Sequence, residues 1–375
     1  MGKLRVGLIF GGRSGEHEVS LRSARAVIQA LDGERYEVIP IAIAKDGRWL
    51  PPAESWRMLP SASIPSTPHS SPERDAVTII GDLNWQGLVH LGEDGTRVER
   101  LDVVFPVLHG TYGEDGTIQG LLEMANIPYV GCGVLASACG MDKVAMKSLF
   151  RAVGLPVCRY LWFLRAEWET KPSEVIKRIE HEIGFPCFVK PANLGSSVGV
   201  TRATDRASLE AALTEAALYD RKIVVEEALD VREIECAVLG NEDPQASLPG
   251  EYVVLDRRAE FLDYTEKYGQ TGHVEFVTPA PVAAELVREI QQMACRAFRA
   301  IDGAGLARVD FFLRRDTDEL LINEINTMPG LTDVSGYPKM WAASGLDFPQ
   351  LLDRLIELAL ERHRDKARNR TSLAH

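Results

Sequence analysis

The feature that most constrains this chain is a pair of apolar segments, "LARVDFFLRR" and "ELLINEINT", separated by the short turn sequence "DTD". This pattern predicts an antiparallel β-hairpin centred on Thr317. Because side chains alternate along a strand, Ile322, Glu324 and Asn326 are predicted to point to the same side of the sheet. The predicted register also places Asp310 directly opposite Glu324.

The oxygen-bearing side chains of this hairpin predict a cation site. Residues directly opposite each other have Cβ atoms about 4.5–5.5 Å apart, so Asp310 and Glu324 would repel each other unless a cation lay between them. The same register places Asn326 opposite Arg308. Mg²⁺ takes one or two protein carboxylates and completes its shell with water and phosphate oxygens. The alternative interpretation of the hairpin alone is a charged, solvated strand edge.

A second segment, "VKPANLGSSVGV", is a candidate for holding phosphates. Lys190 ends a β-rich run, and the following turn over 195–197 can direct backbone N–H groups at an anion. The segment lacks the G-x-x-x-x-G-K-[ST] pattern of a P-loop, and a plain surface turn remains the alternative. Near the N-terminus, "GGRSGE" also departs from the G-x-G-x-x-G pattern, which disfavours a dinucleotide-binding domain.

Bulk properties exclude several classes of protein. The 375 residues are enough for two or three domains. The net charge of −12 disfavours a nucleic-acid binder, which needs a basic face. Six scattered cysteines without a C-x-x-C motif indicate reduced thiols in a cytosolic protein, and no H-x-x-x-H spacing predicts zinc. The chain shows neither a signal peptide at its N-terminus nor an apolar run of about eighteen residues, so no membrane span is expected.

The N-terminal part has the pattern of an open α/β sheet. A strand "LRVGLIFGG", a helical segment "GEHEVSLRSARAVIQAL" and a second strand "YEVIPIAIA" follow each other directly. Residues 51–75 are rich in Pro and Ser and are predicted to form a surface excursion. The sheet resumes at "LDVVFPVLHG". We therefore expect an N-terminal α/β domain over 1–140.

The rest of the chain has a more antiparallel, α+β character. "FPCFVKPANLGSSVGVTRA" predicts two strands joined by a Gly-Ser loop, and "SLEAALTEAALY" predicts a helix. Residues 256–275 are charged and lack periodicity, as in a lid loop. We divide this part into a central subdomain over 141–229 and a C-terminal subdomain over 230–375.

Taken together, these segments resemble the D-alanine–D-alanine ligases of the ATP-grasp superfamily, and the resemblance covers nearly the whole chain. The segments that carry it are "FGGRSGEHEVS", "HGTYGEDGTIQG", "MDK", "KPANLGSSVGV", "EIECAVLGN", "DYTEKY", "ARVDFF" and "NEINTMPG". The resemblance implies an N-terminal parallel-sheet domain followed by a two-domain ATP-grasp fold. It also implies a cytoplasmic homodimer that joins two D-alanines for peptidoglycan, spending ATP through a D-alanyl phosphate intermediate. Two Mg²⁺ ions, with Mn²⁺ as a substitute, are the implied cofactors.

The resemblance further implies a role for each position that matches a family motif. The implied metal ligands are Asp310, Glu324 and Asn326. The implied ATP site consists of Lys143, Lys190 and Ser197 at the phosphates, Glu226, Ala228 and Leu229 at the adenine, and Glu233 at the ribose.

The implied substrate site lies beside the nucleotide. The first D-alanine would be held by Glu16, Ser196 and Tyr268, with His109 nearby. Arg308 and the backbone N–H of Gly330 would form the oxyanion hole. The carboxylate of the second D-alanine would be bound by Lys267, Ser335 and Gly336. The family often has a larger apolar residue where Gly336 stands, which leaves the packing of this subsite open.

Three alternative functions differ in chemistry. A D-alanine–D-lactate ligase would share the fold, but in the family it carries His or Phe where this chain has Tyr268. An NAD-dependent oxidoreductase would need the missing G-x-G-x-x-G unit and would leave the carboxylate hairpin without a role. A non-catalytic nucleotide-binding module would bind Mg-ATP without D-alanine-dependent phosphate release.

Overall fold

The computed structural model describes residues 2–59, 76–92, 95–195, 199–254, 274–332 and 334–370. Its strands are β1 (Leu4–Gly11), β2 (Tyr36–Ile43), β3 (Trp49–Leu50), β4 (Ala76–Thr78), β5 (Gly87–Gly92), β6 (Gly95–Arg100), β7 (Val103–Pro106), β8 (Tyr160–Leu164), β9 (Cys187–Pro191), β10 (Thr201–Ala203), β11 (Lys222–Glu227), β12 (Val231–Gly240), β13 (Gln245–Ala246), β14 (Gly250–Val254), β15 (Val274–Val277), β16 (Gly305–Arg314) and β17 (Leu320–Asn326). Its helices are α1 (His17–Ala30), α2 (Pro52–Arg57), α3 (Thr117–Met124), α4 (Val134–Met141), α5 (Lys143–Ala152), α6 (Arg165–Thr170), α7 (Pro172–Glu182), α8 (Arg206–Tyr219), α9 (Ala284–Ala300), α10 (Gly336–Ala343) and α11 (Phe348–Lys366).

The N-terminal sheet confirms the predicted open α/β architecture. Its strand order is β3-β2-β1-β7, with β1 parallel to both β2 and β7. Strand β1 is apolar on both faces because both faces are covered. Val6, Leu8 and Phe10 join one hydrophobic cluster, and Ile9 joins another on the opposite face. The sheet therefore presents the carboxyl ends of β1 and β7 as a rigid edge.

The stretch between β2 and β7 differs from the predicted surface excursion. Residues 52–57 form helix α2, which begins with Pro at a position where its missing N–H costs nothing. The buried hydroxyl of Ser55 accepts from the Ala42 N–H and donates to the Leu50 carbonyl, which fixes α2 to β2. Residues 60–75 lie outside the described residues. Strands β4, β5 and β6 form a three-stranded antiparallel sheet that our sequence analysis did not identify.

The central sheet confirms the predicted antiparallel unit. Its order is β10-β9-β11-β8, and β9 pairs antiparallel with β10 across the Gly-Ser loop. Helices α7 and α8 cover one face with residues such as Ile179, Leu209 and Leu213, which share a core with Val189 and Val225 of the sheet. This core contains only residues of the predicted central subdomain.

The C-terminal sheet contains the hairpin from which the sequence argument began. Its order is β15-β14-β12-β16-β17, with β13 paired to β12. Strands β16 and β17 are antiparallel, with Arg308 opposite Asn326 and Asp310 opposite Glu324, as the sequence predicts.

A bulge in this hairpin corrects one prediction. After the Asp310–Glu324 pair, Phe311 pairs with Ile322, so Asn323 is an extra residue on β17. An extra residue reverses the alternation of side chains beyond it. Ile322 therefore packs in the core with Ile325, and it does not share a face with Glu324, as we had expected from strict alternation.

Two helices join the parts of the molecule. On α5, Met146 and Phe150 belong to the core under the C-terminal sheet, whereas Val144 packs with Val224 of the central sheet. Helix α11 packs against α1 and β7 of the N-terminal domain. Since both helices bury side chains against more than one sheet, the boundaries at 140 and 229 stay predictions.

Removing core volume from α11 should destabilise the whole chain. Leu355 is fully buried in the cluster that joins α11 to the N-terminal sheet. Leu355→Ala should lower the free energy of unfolding by about 2–5 kcal/mol, measured by urea denaturation. The control is Leu218→Ala, because Leu218 is 72% exposed on α8 and its loss should change stability by less than about 0.5 kcal/mol. Equal effects of the two substitutions would contradict the proposed role of this core.

Candidate active site

One face of the C-terminal sheet carries the predicted metal and oxyanion residues. Arg308 donates to both oxygens of Asp310, each at 2.6 Å, and its Nε lies 3.2 Å from Glu235 Oε1. Glu235 lies opposite Asp310 on β12, and Glu324 lies opposite it on β17. The structure thus gathers four charged side chains on the face opposite the core.

Lys143 connects this face to the loop that precedes the predicted phosphate cradle. It is the first residue of α5, and Asp142 caps that helix by accepting from two backbone N–H groups. The Lys143 ammonium donates to the Leu194 carbonyl at 2.8 Å and lies 3.7 Å from Glu324 Oε2. A cation in this position suits the phosphates of a nucleotide held between loop and hairpin.

Lys190 and Glu226 form a buried ion pair on adjacent strands. Lys190 Nζ lies 2.6 Å from Glu226 Oε2, and Lys147 Nζ lies 3.1 Å from Oε1. Burial alone would raise the pKa of Glu226, but the charges of the two lysines outweigh it and lower that pKa to about 2. Glu226 is therefore an ionised hydrogen-bond acceptor at every physiological pH.

The predicted adenine hinge borders a cleft between the central and C-terminal sheets. The cleft has a volume of about 510 Å³, and Ala228 and Leu229 are among its lining residues, with Leu321 opposite them on β17. The Ala228 N–H donates to the Pro186 carbonyl at 3.2 Å, which fixes the backbone at the edge of the cleft. Glu233 begins the polar face of β12, opposite Phe312.

Glu16 of the N-terminal domain reaches the same region. It is the N-cap residue of α1, but its side chain does not cap the helix. A Cβ on Gly195 would lie 3.2 Å from Glu16 Oε2 and 4.0 Å from Glu114 Oε2, so both carboxylates adjoin the start of the Gly-Ser loop. The tertiary fold thus joins the first and second glycine-rich segments, which are 180 residues apart.

His109 is held rigidly beside these carboxylates. Its Nδ1 donates to the Met328 carbonyl at 3.1 Å and lies 3.6 Å from Glu114 Oε1, while Nε2 is 3.1 Å from Ser23 Oγ. Burial opposes the charged ring, but the carboxylates of Glu114 and Glu16 outweigh burial and raise the pKa of His109. The ring therefore ties β7 to the segment after β17 and carries positive charge more readily than an ordinary histidine.

Gly330 of the predicted oxyanion hole lies beside Ser335, the neighbour of Gly336 in the predicted second substrate site. A Cβ on Gly330 would lie 2.8 Å from Ser335 Oγ, and that hydroxyl already pairs with Thr332 Oγ1 at 2.7 Å. At Gly336, a Cβ would lie 2.7 Å from Glu235 Oε2 and 2.9 Å from the Phe276 ring. These neighbours fill the space that a larger side chain would need, which explains why glycine stands there.

Four predicted site residues lie outside the described residues: Ser196, Ser197, Lys267 and Tyr268. Within the described residues, no group of three or more His, Cys, Asp or Glu side chains gathers as a metal site. The hairpin itself supplies two carboxylates and the amide of Asn326, whose Oδ1 accepts from the Met328 N–H at 2.9 Å. Such a set is an incomplete shell, as a cation shared with phosphates requires.

Two family models match this chain. A model described as D-ala D-ala ligase N-terminus matches residues 5–132, and one described as D-ala D-ala ligase C-terminus matches residues 149–357. Together they cover most of the chain. The chain belongs to the D-alanine–D-alanine ligase family.

The sequences of individual family members match this chain over nearly its whole length. A D-alanine–D-alanine ligase from Heliobacterium modesticaldum is 50% identical over 372 residues, covering 99% of this chain and 98% of the relative. A D-alanine–D-alanine ligase from Bacillus cytotoxicus is 47% identical and covers 98% of both chains. Identities of this size over nearly the whole length indicate that this chain shares its fold with both relatives.

Solved structures of the family superpose on this chain. The D-alanine–D-alanine ligase from Coxiella burnetii has a TM-score of 0.80 and 36% identity, covering 98% of this chain and 97% of that one. The VanG D-Ala:D-Ser ligase from Enterococcus faecalis has a TM-score of 0.81 and 34% identity, covering 95% and 99%. The family therefore includes members with different second substrates on one fold.

Three residues that the sequence did not predict contact predicted site residues. Glu114 contacts His109, Glu235 contacts Arg308, and Lys147 contacts Glu226. Two of them carried a usable signal. Lys147 is four residues after Lys143 on one helix face, and Glu235 is two residues after Glu233 on one strand face. Glu114 lies in a loop, where no periodicity indicates its direction.

The contact between Glu114 and His109 predicts a measurable change in pKa. Glu114→Gln removes the nearest negative charge and should lower the pKa of His109, measured by NMR titration of its ring protons. The exposed Glu18→Gln is the control and should leave that pKa unchanged. An unaltered His109 pKa in Glu114→Gln would show that burial, and not the carboxylate, governs the ring.

The same contact has a defined effect on stability. A raised folded-state pKa stabilises the protein fully below the unfolded value of about 6.5, and this contribution is lost as the pH rises through the folded-state value. The stability difference between wild type and Glu114→Gln should therefore be larger in acidic than in alkaline buffer. Denaturant unfolding at several pH values measures this difference.

Proposed function

We propose that this protein is an ATP-dependent ligase that joins two D-alanines into D-alanyl-D-alanine and releases ADP and phosphate. The dipeptide would serve peptidoglycan synthesis in the cytoplasm, and the enzyme would act as a homodimer. The observation that carries the proposal is the hairpin register, because it places Asp310 opposite Glu324 beside Arg308 and Lys143. The residues on this face bear the charges that transfer of a phosphoryl group requires.

A divalent cation fits the hairpin. The donors Asp310, Glu324 and Asn326 are all oxygen ligands on one face, which is the set that Mg²⁺ or Mn²⁺ prefers. Arg308 donates to both oxygens of the Asp310 carboxylate, which fixes the orientation of this proposed ligand on the sheet. When bound, the cation would neutralise charge on the ATP phosphates. We propose two Mg²⁺ ions, with Mn²⁺ as a substitute.

The nucleotide would lie between the central and C-terminal sheets. Lys143, Lys190 and the N–H groups at Ser197 would hold the phosphates. Glu226 and the backbone of Ala228 and Leu229 would meet the adenine, and Glu233 would bind the ribose. In this arrangement the γ-phosphate would lie near the edge where Glu16 adjoins Gly195.

The first half-reaction would form an acyl phosphate. Glu16, assisted by Ser196 and Tyr268, would bind the ammonium group of the first D-alanine, with His109 closing the site from the N-terminal domain. The substrate carboxylate would then attack the γ-phosphorus, which forms D-alanyl phosphate and breaks the bond to ADP. Positioning of the two reactants provides most of the acceleration in such a step.

The second half-reaction would form the peptide bond. Lys267, Ser335 and the Gly336 amide would hold the carboxylate of the second D-alanine. Its amine, having lost a proton, would attack the acyl carbonyl. Arg308 and the Gly330 N–H would stabilise the resulting oxyanion, and phosphate would leave as the carbonyl re-forms.

One assay separates this proposal from its alternatives. Phosphate release from Mg-ATP should require D-alanine, and mass spectrometry should identify D-alanyl-D-alanine. L-alanine should not support release, and D-lactate or D-serine offered as second substrate should give less product than D-alanine. Preferential formation of the ester or of D-alanyl-D-serine would reassign the second substrate. ATP binding without D-alanine-dependent release would favour a non-catalytic module.

The metal assignment predicts the effect of one substitution. Glu324→Gln should reduce ligation at millimolar magnesium by more than about a hundredfold, because it removes a charged ligand from the hairpin. Glu285→Gln is the control, since Glu285 is exposed on α9 and its side chain forms an ion pair with Arg288. Near-normal turnover of Glu324→Gln would remove the Asp310–Glu324 pair from the mechanism.

A further inference from the structure

Lys147 is a buried cation for which the proposed reaction has no role. It is fully buried on α5, one turn after Lys143. Its ammonium group lies 3.1 Å from Glu226 Oε1, donates to the Asn323 carbonyl at 3.0 Å and lies 3.7 Å from Cys158 Sγ. Burying an ammonium group carries a large desolvation penalty, and an apolar residue of similar volume would pack at lower cost. The stability of the fold therefore does not explain why a lysine occupies position 147.

The partner of Lys147 already has another cation. Lys190 pairs with the second oxygen of Glu226 at 2.6 Å. In the proposed function, however, Lys190 also binds the nucleotide phosphates. When ATP binds, its positive charge is therefore shared between Glu226 and the phosphates. Lys147 is too deeply buried to follow the phosphates. Lys147 is thus the cation that stays with Glu226 when the nucleotide is present.

The ionised state of Glu226 matters because of the groups on a purine base. An ionised carboxylate only accepts hydrogen bonds. Among the described residues, Glu226 Oε1 receives no hydrogen bond of good geometry, although the Lys147 charge is close to it. The 6-amino group of adenine donates a hydrogen bond, whereas the 6-oxo group of hypoxanthine or guanine accepts one. An ionised Glu226 would therefore attract the 6-amino group of adenine and repel the 6-oxo group of hypoxanthine or guanine.

Lys147 also fixes the strand that carries the metal ligands. The carbonyl it binds belongs to Asn323, the bulge residue of β17, and the next residue is Glu324. The bulge is what turns Glu324 away from the core face that Ile322 occupies. The Lys147 ammonium group therefore lies 3.1 Å from the Glu226 carboxylate and 3.0 Å from the carbonyl of the bulge residue Asn323.

We propose that Lys147 is a positioning residue for nucleotide selection, which acts by keeping Glu226 a pure hydrogen-bond acceptor against the purine 6-position. This inference rests on the proposed nucleotide role of Glu226. Lys147 would favour a 6-amino purine triphosphate over a 6-oxo purine triphosphate. It would do so without contacting the nucleotide itself.

The test compares binding of ATP and inosine triphosphate to the full chain by calorimetry in magnesium buffer. Wild type should bind ATP more tightly. In Lys147→Met, the ratio of the two affinities should fall at least about tenfold, the size expected for one hydrogen bond to a charged group. Lys222→Met is the matched control, because Lys222 lies on the same strand as Glu226 but pairs with Asp142. It should leave the ratio unchanged.

A double-mutant cycle separates positioning from a general structural effect. If Lys147 acts through Glu226, the double variant Lys147→Met/Glu226→Gln should lose no more selectivity than Glu226→Gln alone. Additive losses, or equal weakening of ATP and inosine triphosphate in Lys147→Met, would overturn the inference. Should Lys147→Met fail to fold, Lys147→Gln replaces it, since glutamine can still donate to the Asn323 carbonyl but carries no charge.

The experiment also distinguishes this inference from the proposed function. Nucleotide binding requires no turnover, so a selectivity change in Lys147→Met supports the inference even if wild type shows no D-alanine-dependent phosphate release. Conversely, an active ligase whose wild type binds both nucleotides equally would keep its proposed function and contradict the role of Lys147.

Discussion

The pairing of β16 with β17, interrupted by one extra residue at Asn323, is the constraint on which the site depends. With Asp310 opposite Glu324, two carboxylate side chains lie next to each other on one face of the sheet. The bulge lets the same strand send Ile322 and Ile325 into the core while Glu324 faces the site. A regular strand would place Ile322 and Glu324 on the same face, so either the core would lose Ile322 or Glu324 would turn away from Asp310.

Around this hairpin the charged residues are buried in pairs rather than singly. Arg308 chelates Asp310 and contacts Glu235, and Glu226 lies between Lys147 and Lys190. Unpaired charges at this depth would be costly, and in each set every charge has an oppositely charged neighbour. The Arg308 set has one carboxylate in excess, and the Glu226 set has one lysine in excess. A bound nucleotide or cation would exchange partners within these sets. These ion pairs hold the described part of the site in place before any ligand binds.

Contacts between the N-terminal domain and the rest of the chain set the position of Glu16. Helix α11 returns from the C-terminal sheet and packs on α1 and β7, and His109 binds the carbonyl of Met328. These contacts bring Glu16 within reach of Gly195. Glu16 and the start of the Gly-Ser loop therefore adjoin each other because of contacts made elsewhere in the fold.

Several features follow from the sequence alone. Apolar runs with glycine-rich ends specified the open α/β sheet, and the "DTD" turn specified the hairpin register, because both depend on periodicity and turn chemistry over a few residues. The bulge at Asn323, the three-stranded sheet over β4–β6, and the contacts of Glu114, Lys147 and Glu235 came only from the tertiary structure. Each of these depends on which distant segment lies opposite a residue, and local spacing carries no information about that. Gly336 is the clearest case: the sequence showed an unexpected glycine, and only packing against Glu235 and Phe276 supplied its reason.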